Sequence, residues 1–186
     1  METTMKNSRV GRLLAGLVLS VLIAGLFSYS ETNVDLPNNF HEVGDGVYRS
    51  SQPDAKEMKT LDSMGFKVIL NLRNYHDNIR KLRSTDIVQI HLPMRALDIE
   101  EHDVVSALRV LGKVDKPVLV HCRRGADRTG CVIAAYRMVY QDWSREKAIK
   151  EFRDEKYGYG EKMFPGILKF LEEVDIEVLK LKVFEK

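Results

Sequence analysis

The stretch of sequence that decides the fold is His121-Cys122-Arg123-Arg124-Gly125-Ala126-Asp127-Arg128-Thr129-Gly130. Residues 117–121 lead into it as a short apolar run entered through a proline, which predicts a buried strand. Residues 132–140 follow it and are apolar enough for a central helix. We therefore expect a tight, glycine-containing turn between a strand that ends at His121 and a helix that begins near Arg128.

A turn of this kind is suited to bind an anion. Successive backbone N–H groups point inward, and the helix N-terminus adds the positive end of its dipole. Because a thiol in such a position ionises readily, Cys122 is the candidate nucleophile. Arg128, six positions later, can reach back and hold two oxygens of a tetrahedral oxyanion with its planar guanidinium. A lone cysteine is more often a core residue and a lone arginine a surface charge, but this spacing at a strand-to-helix turn favours the functional interpretation.

The rest of the chain alternates short strands with amphipathic helices. Strands are predicted within residues 43–49 and at 66–72 and 87–92, with helices at about 53–65 and 104–112. Two further helices are predicted at 144–155 and 164–181, with Ser144 as the N-cap of the first. The alternation predicts an α/β domain with a central, mostly parallel sheet of about four to five strands flanked by helices.

The first thirty residues have the pattern of an export signal. Lys6, Arg9 and Arg12 precede an apolar stretch at residues 13–27 and a small polar run at 28–30. The stretch is shorter than the roughly 18 residues of a spanning helix, so we expect cleavage near residues 28–30, with retention as an anchor as the alternative. Residues 1–30 are thus assigned to a signal peptide or signal anchor, 31–40 to a linker and 41–186 to the folded domain.

Charge, histidine and cysteine content exclude several kinds of site. The first thirty residues hold three of the 29 basic residues and one of the 27 acidic ones, so the remainder carries 26 of each. Nothing in that balance indicates nucleic-acid binding. The five histidines lack metal-ligand spacing, so we expect no metal and no cofactor. Cys122 and Cys131 are expected to stay unpaired, because one lies in the turn and the other in the following helix.

Residues 121–130 resemble the signature loop of the protein-tyrosine and dual-specificity phosphatases, in which His-Cys is followed by five residues and then Arg-Thr or Arg-Ser. The resemblance extends through residues 46–53 and 69–73 and is strongest to small exported bacterial tyrosine phosphatases, whose loop ends like residues 126–130. It implies the cysteine-phosphatase (dual-specificity) fold, a phosphocysteine intermediate on Cys122 and a periplasmic location, soluble or tethered to the inner membrane by the N-terminal segment. His121 would orient the cysteine backbone, and Thr129 would offer its hydroxyl to the departing thiolate. The phosphate would be bound by the loop residues Arg123, Arg124, Gly125, Ala126, Asp127 and Arg128.

The family also has a general acid, an aspartate in the loop before the helix that precedes the signature strand. Asp98 occupies that place, and Asp103, inside the predicted helix, is the fallback. The sequence of residues 98–101 also reads as a helix start with Asp98 as the N-cap, and the two roles are compatible. Arg73 and Arg95 are candidates for the rim of the pocket.

The expected substrate is phosphotyrosine in a protein, with phosphoserine and phosphothreonine as further possibilities, and the enzyme is expected to act as a monomer. Phosphoinositides, including a phospholipid headgroup, or inositol phosphates are the alternative substrates, although pockets for them often carry lysines where this loop has Arg123, Arg124 and Asp127. A rhodanese-type sulfurtransferase remains open, but its loop is usually shorter and lacks the closing Arg-Thr-Gly. A non-catalytic phosphate-binding module also remains open, but it would normally have lost the cysteine, the arginine or the acid.

Overall fold

A five-stranded sheet forms the centre of the computed structural model, which describes residues 34–185. The strands are β1 (His41–Gly44), β2 (Val47–Ser50), β3 (Val68–Asn71), β4 (Val88–His91) and β5 (Val118–His121). Their order across the sheet is β1-β2-β5-β3-β4. Only β1 is antiparallel to its neighbour, and all other pairs are parallel. The predicted α/β fold with a mostly parallel sheet is confirmed.

Seven α-helices accompany the sheet in the described part of the chain. They are α1 (Ala55–Ser63), α2 (Ile79–Leu82), α3 (Glu101–Lys113), α4 (Asp127–Tyr140), α5 (Arg145–Phe152), α6 (Pro165–Glu173) and α7 (Ile176–Phe184). A single 3-10 turn, Glu155–Tyr157, follows α5. Twelve of the fourteen residues of α4 are buried, so this helix is enclosed on nearly all sides and is the central helix that the sequence predicted.

The strand β5 lies in the middle of the sheet and feeds directly into α4. All four of its residues are buried, as expected for a parallel strand covered on both faces. Val118 and Val120 belong to the large apolar cluster that contains α3 and α4, whereas Leu119 belongs to a smaller cluster with Met58 and Leu61 of α1. The two clusters hold β5 from both sides, and its carboxyl end is therefore a fixed point from which the following loop starts.

Three helix boundaries test the predicted caps and ends. Ser144 caps α5 as predicted, because its hydroxyl accepts a hydrogen bond from the N–H of Lys147 at 3.3 Å. The prediction of one helix at residues 164–181 was wrong, since Asp175 starts a new helix by accepting hydrogen bonds from two N–H groups of the first turn of α7. The reading of Asp98 as an N-cap was also wrong, because the cap of α3 is Glu100, which makes no side-chain capping bond.

Residues 34–40 fall within the predicted linker and have neither helix nor strand. Pro37 is nevertheless buried, and Leu36 and Phe40 pack against the smaller apolar cluster. The ring of Phe40 stacks on that of Tyr48 with centroids 5.5 Å apart. This part of the segment is therefore packed onto the domain.

The predicted signal segment, residues 1–30, lies outside the described residues. No helix between residues 34 and 185 combines the length and the apolar character needed to cross a membrane.

Candidate active site

The loop of residues 122–126 connects the carboxyl end of β5 to the first turn of α4, as the sequence predicted. Cys122 opens the loop and is only 1% exposed, and Ala126 closes it at the start of the helix. Gly125 has φ of +71°, and a Cβ atom there would lie 2.4 Å from the carbonyl group of Ser50. No other residue fits without moving the end of β2, so this glycine allows the loop to pass close to the neighbouring strand.

Each of the four carbonyl groups at the start of the loop is held by a hydrogen-bond donor from elsewhere in the chain. The Cys122 carbonyl is 3.0 Å from Nδ1 of His121, the Arg123 carbonyl 3.2 Å from N of Gln52, the Arg124 carbonyl 3.1 Å from Nδ2 of Asn39, and the Gly125 carbonyl 2.7 Å from Nη2 of Arg49. In a trans peptide the N–H group points opposite to the carbonyl group. The N–H groups of residues 123–126 therefore point away from these donors, and none of them donates a hydrogen bond within residues 34–185. Four free amides in one tight loop are what an oxyanion needs.

Arg128 and Thr129, in the first turn of α4, add unpaired polar atoms to this loop. Nη1 of Arg128 donates to the carbonyl groups of Leu72 and Met94, at 3.2 Å each. These two bonds hold the side chain against the segments that follow β3 and β4. Its Nε is buried without a partner, and so is the hydroxyl group of Thr129, within the described residues. Because buried polar groups are nearly always hydrogen-bonded, these two atoms are suited to a ligand or to a charged sulfur atom.

A cavity of about 450 Å³ opens beside the loop. Four arginines line it, namely Arg73, Arg95, Arg123 and Arg128, and no carboxylate in the described part of the chain does so. Burial lowers the pKa of Arg73, and the charges of Arg128 and Arg123 lower it further. Such mutual repulsion between cations is relieved by a bound anion. The two predicted rim residues, Arg73 and Arg95, thus both lie where the sequence analysis expected them.

His121 is buried behind the loop. Its Nδ1 contacts the carbonyl of Cys122, and its Nε2 lies 2.8 Å from Nδ2 of Asn78. Burial lowers the pKa of His121 to about 4, so the ring is neutral at neutral pH. His121 thus contacts the cysteine backbone that it was predicted to orient, and Asn78 is a partner that the sequence analysis did not name.

The side chains of Arg124 and Asp127 are engaged with each other instead of facing the cavity. Nη2 of Arg124 lies 3.1 and 3.0 Å from the two carboxylate oxygens of Asp127, which also accepts a hydrogen bond from the N–H of Gly160 at 3.0 Å. Both residues were predicted to bind phosphate. Neither side chain lines the cavity, and the Asp127 carboxylate fastens the start of α4 to the backbone of Gly160.

The two candidate acids lie in different surroundings. Asp98 is exposed at the end of a turn whose residues 94–97 line the cavity, and its carboxylate is 3.9 Å from Nη1 of Arg95. Asp103 lies in the first turn of α3 and contacts Nε2 of His102 at 3.1 Å. Burial raises the pKa of Asp103. Neither carboxylate lines the cavity, but Asp98 belongs to the segment that does.

Arg49 is a site residue that the sequence analysis missed. It is 2% exposed, it donates to the Gly125 carbonyl, and its guanidinium lies 4.0 Å from the centre of the Tyr157 ring. Burial lowers the pKa of Arg49 to about 10. A signal was present, because Val47 and Arg49 point to the same face of the strand and Val47 is a core residue. A charge on a core-facing position requires a specific partner.

Comparison with known proteins identifies the family of this chain. A family model described as the tyrosine phosphatase family matches residues 35–182. The chain belongs to the tyrosine phosphatase family. This family member is 34% identical to the inositol diphosphatase DSP5 of Arabidopsis thaliana, over 78% of the chain and 73% of that protein. It is 28% identical to the dual specificity protein phosphatase TpbA of Pseudomonas aeruginosa, over 78% of the chain and 72% of that protein.

Solved structures of two phosphatases have the same fold. The crystal structure of Pseudomonas aeruginosa TpbA matches 78% of this chain and 91% of its own, with a TM-score of 0.72 and 26% identity. The core catalytic domain of the PP-IP phosphatase SIW14 from Saccharomyces cerevisiae, solved with citrate, matches 79% of this chain and 91% of its own, with a TM-score of 0.68 and 31% identity. The predicted cysteine-phosphatase fold is thereby confirmed, and the chain is a phosphoric monoester hydrolase.

Proposed function

We propose that this phosphatase hydrolyses phosphotyrosine in proteins through a phosphocysteine intermediate on Cys122. The observation that carries the proposal is the loop of four free amides between Cys122 and the helix of Arg128. The amides and the guanidinium surround the phosphate oxygens, so the sulfur of Cys122 is left facing the phosphorus atom. Donors fixed in advance stabilise the charge that develops on these oxygens in the transition state, without having to reorganise.

In the first step, the thiolate of Cys122 attacks phosphorus in line with the ester oxygen. The S–P bond forms as the P–O bond breaks, and Asp98 in its acid form gives its proton to the leaving phenolate oxygen. In the second step, the Asp98 carboxylate takes a proton from water, whose oxygen attacks phosphorus and breaks the S–P bond. Inorganic phosphate leaves, and the hydroxyl of Thr129 donates a hydrogen bond to the returning thiolate. Asp98 has to turn from Arg95 toward the cavity, and catalytic contacts of this kind often form only in the substrate complex.

An aromatic substrate is favoured by the apolar side chains around the cavity mouth. Tyr75 and Leu97 line the cavity and are 88% and 74% exposed, and Phe164 lines it as well. A phosphotyrosine ring between these side chains buries apolar surface, whereas a phosphoserine methylene buries much less. A related TpbA variant has been crystallised with pTyr, at 26% identity and a TM-score of 0.73.

Inositol pyrophosphates are a second candidate substrate, supported by the arginines of the cavity. Arg73, Arg95 and Arg123 line it in addition to Arg128, which is more positive charge than one monoester requires. A diphosphate on a polyanionic ring would satisfy the additional guanidinium groups. Several relatives, such as DSP5, are named inositol diphosphatases. Comparing kcat/KM for a phosphotyrosyl peptide, a phosphothreonyl peptide and an inositol pyrophosphate decides between the two substrates.

Three variants test the mechanism. Cys122→Ser is expected to abolish phosphate release while phosphate binding stays measurable; turnover like that of the wild type would refute the nucleophile. Asp98→Asn is expected to slow the first step most for poor leaving groups. If Asp103→Asn has that effect and Asp98→Asn does not, the acid is Asp103.

Two other outcomes would support the alternative functions. Sulfur transfer from thiosulfate without phosphatase activity would support a rhodanese-type enzyme, and phosphate binding without any turnover would support a phosphate-binding module.

The proposal includes export to the periplasm, supported by the basic and apolar pattern of residues 1–30. An enzyme in that compartment would act on phosphorylated proteins outside the cytoplasm. Cell fractionation tests the export, and the mass of the mature chain tests whether the N-terminal segment is cleaved. Recovery of the full-length chain in the cytoplasmic fraction would contradict export, and recovery of the full-length chain in the inner membrane would indicate an uncleaved anchor.

A further inference from the structure

A chain of hydrogen bonds runs from Arg73 in the cavity to the backbone of Cys122. The guanidinium of Arg73 contacts Oε1 of Gln52, and Nε2 of Gln52 lies 2.7 Å from Oδ1 of Asn78. Nδ2 of Asn78 lies 2.8 Å from Nε2 of His121, whose Nδ1 is 3.0 Å from the carbonyl oxygen of Cys122. Asn78 is 1% exposed and His121 is fully buried, so water does not compete for the contacts that His121 makes with Asn78 and with the Cys122 carbonyl, whereas Gln52 and Arg73 are half-buried.

The direction of every bond in this chain follows from its first member. A guanidinium can only donate, so Gln52 has to accept with its oxygen and donate with its amide nitrogen. Asn78 then accepts from Gln52 and donates to Nε2 of His121. A ring nitrogen that accepts carries no proton, so the proton of the neutral ring is on Nδ1. That N–H is the donor that holds the Cys122 carbonyl.

We propose that Gln52 and Asn78 are positioning residues, which fix the protonated nitrogen of His121 and thereby the orientation of the peptide between Cys122 and Arg123. The proposal rests on the proposed function, because this peptide supplies the first amide of the phosphate loop. In the opposite tautomer, the lone pair of Nδ1 would face the carbonyl oxygen of Cys122. The repulsion would rotate the peptide and turn the N–H of Arg123 away from the anion.

Reversing one amide tests this polarity. Gln52→Glu keeps the shape of the side chain but has two acceptor oxygens, and the one that faces Arg73 still accepts. The other oxygen then needs a donor, so the amide of Asn78 turns over and its oxygen faces Nε2 of His121. The proton is thus expected on Nε2 in this variant. Asn78→Asp removes the donor directly and predicts a protonated Nε2 as well, so the test does not depend on one variant folding.

The matched control is Gln89→Glu. Oε1 of Gln89 accepts hydrogen bonds from the N–H of Asn78 at 2.9 Å and from Nδ2 of Asn71 at 3.3 Å. A glutamate at this position adds the same negative charge beside Asn78, yet it keeps the acceptor and leaves the side-chain amide of Asn78 in its orientation. The proton of His121 is therefore expected to stay on Nδ1 in this variant.

The main readout is the pair of nitrogen chemical shifts of the His121 ring in full-length, 15N-labelled protein, which report which nitrogen carries the proton. We expect protonated Nδ1 in the wild type and in Gln89→Glu, and protonated Nε2 in Gln52→Glu and Asn78→Asp. With a phosphotyrosyl peptide, the last two variants are expected to lose about tenfold or more in kcat, with a smaller change in KM. A His121 ring that keeps Nε2 unprotonated in both of them would overturn the proposal, and so would the same switch in Gln89→Glu. The nitrogen shifts need no turnover, so a failure of the proposed phosphatase function would be recognised separately.

Discussion

Replacing Arg49 by methionine is expected to reduce catalysis much more than stability. The Arg49 side chain is 2% exposed, donates to the Gly125 carbonyl at 2.7 Å and lies 4.0 Å from the centre of the Tyr157 ring. Methionine has a similar length and fills much of the same space without the charge. The Gly125 carbonyl loses its donor, and the N–H of Ala126, at the opposite end of that peptide, loses its fixed direction.

The stability change is small because two effects oppose each other. Removing the charged hydrogen bond costs roughly 1.5 to 3 kcal/mol, and the contact with Tyr157 is worth about 2 kcal/mol when desolvated. Against this, burial lowers the pKa of Arg49 to about 10. The departure from an ordinary value near 12.5 corresponds to about 3 kcal/mol that the folded state gives up to keep the charge. The net destabilisation is therefore about 0.5 to 2 kcal/mol.

The activity change is larger, since a loop amide displaced by an ångström or so can cost on the order of 100-fold in rate. Urea unfolding and kcat/KM with a phosphotyrosyl peptide measure the two effects on the same preparation. Arg145→Met is the matched control, because Arg145 donates to the carbonyl groups of Leu171, Glu172 and Val174, away from the loop. It is expected to lose stability and to keep its activity when folded. Unchanged kcat/KM in Arg49→Met would refute the role of this anchor.

Three further outcomes follow from the same contacts. Gly125→Ala is expected to cost at least about 1 to 2 kcal/mol of stability from the positive φ alone. The added Cβ atom meets the Ser50 carbonyl, so phosphatase activity should be nearly lost. Activity close to that of the wild type would contradict the close approach of the loop to β2. The folded pKa of His121, about 4, lies below the unfolded value near 6.5. About 3 kcal/mol of stability should therefore be present above pH 6.5 and be lost progressively as the pH falls toward 4. Urea unfolding across that range measures this pH dependence of the free energy of unfolding, which should be missing in His121→Asn. Glu151→Ala leaves the nearly buried guanidinium of Arg137 without its two carboxylate contacts at 3.1 and 2.9 Å. It should lower the free energy of unfolding by about 3 kcal/mol, while kcat of the folded enzyme stays unchanged. A loss of stability below about 1 kcal/mol would show that the pair is screened by water.

The strand, the turn and the helix around Cys122 were predictable because they are local. An apolar run, a glycine and a second apolar run lie next to one another in the sequence, and each favours its element without help from distant residues. The same holds for Ser144, which caps the helix that follows it directly. Asp175 is a cap of the same kind, but the apolar pattern continues on both sides of it, so periodicity alone predicted one helix instead of two.

The anchors of the loop were not predictable, because they depend on the order of the strands. Arg49 and Gln52 lie some seventy residues before the loop, and they reach it only because β2 is the neighbour of β5 in the sheet. Asn39 was assigned to a linker on its polar neighbours, whereas its amide holds both Arg124 and Tyr157. For Asp98 and Asp103, the sequence supplied the carboxylates but not their surroundings, which depend on where the turn of residues 94–98 lies relative to the cavity.

The remote origin of the carbonyl anchors has a consequence for protein engineering and for folding. Transplanting residues 121–130 onto another strand–turn–helix unit would transfer the nucleophile and the arginine, but not the donors at Asn39, Arg49 and Gln52. Such a graft should bind oxyanions weakly and fail to turn over. In this chain, the appearance of activity during refolding should likewise lag behind the formation of α4, since the loop becomes competent only when β2 has docked against β5.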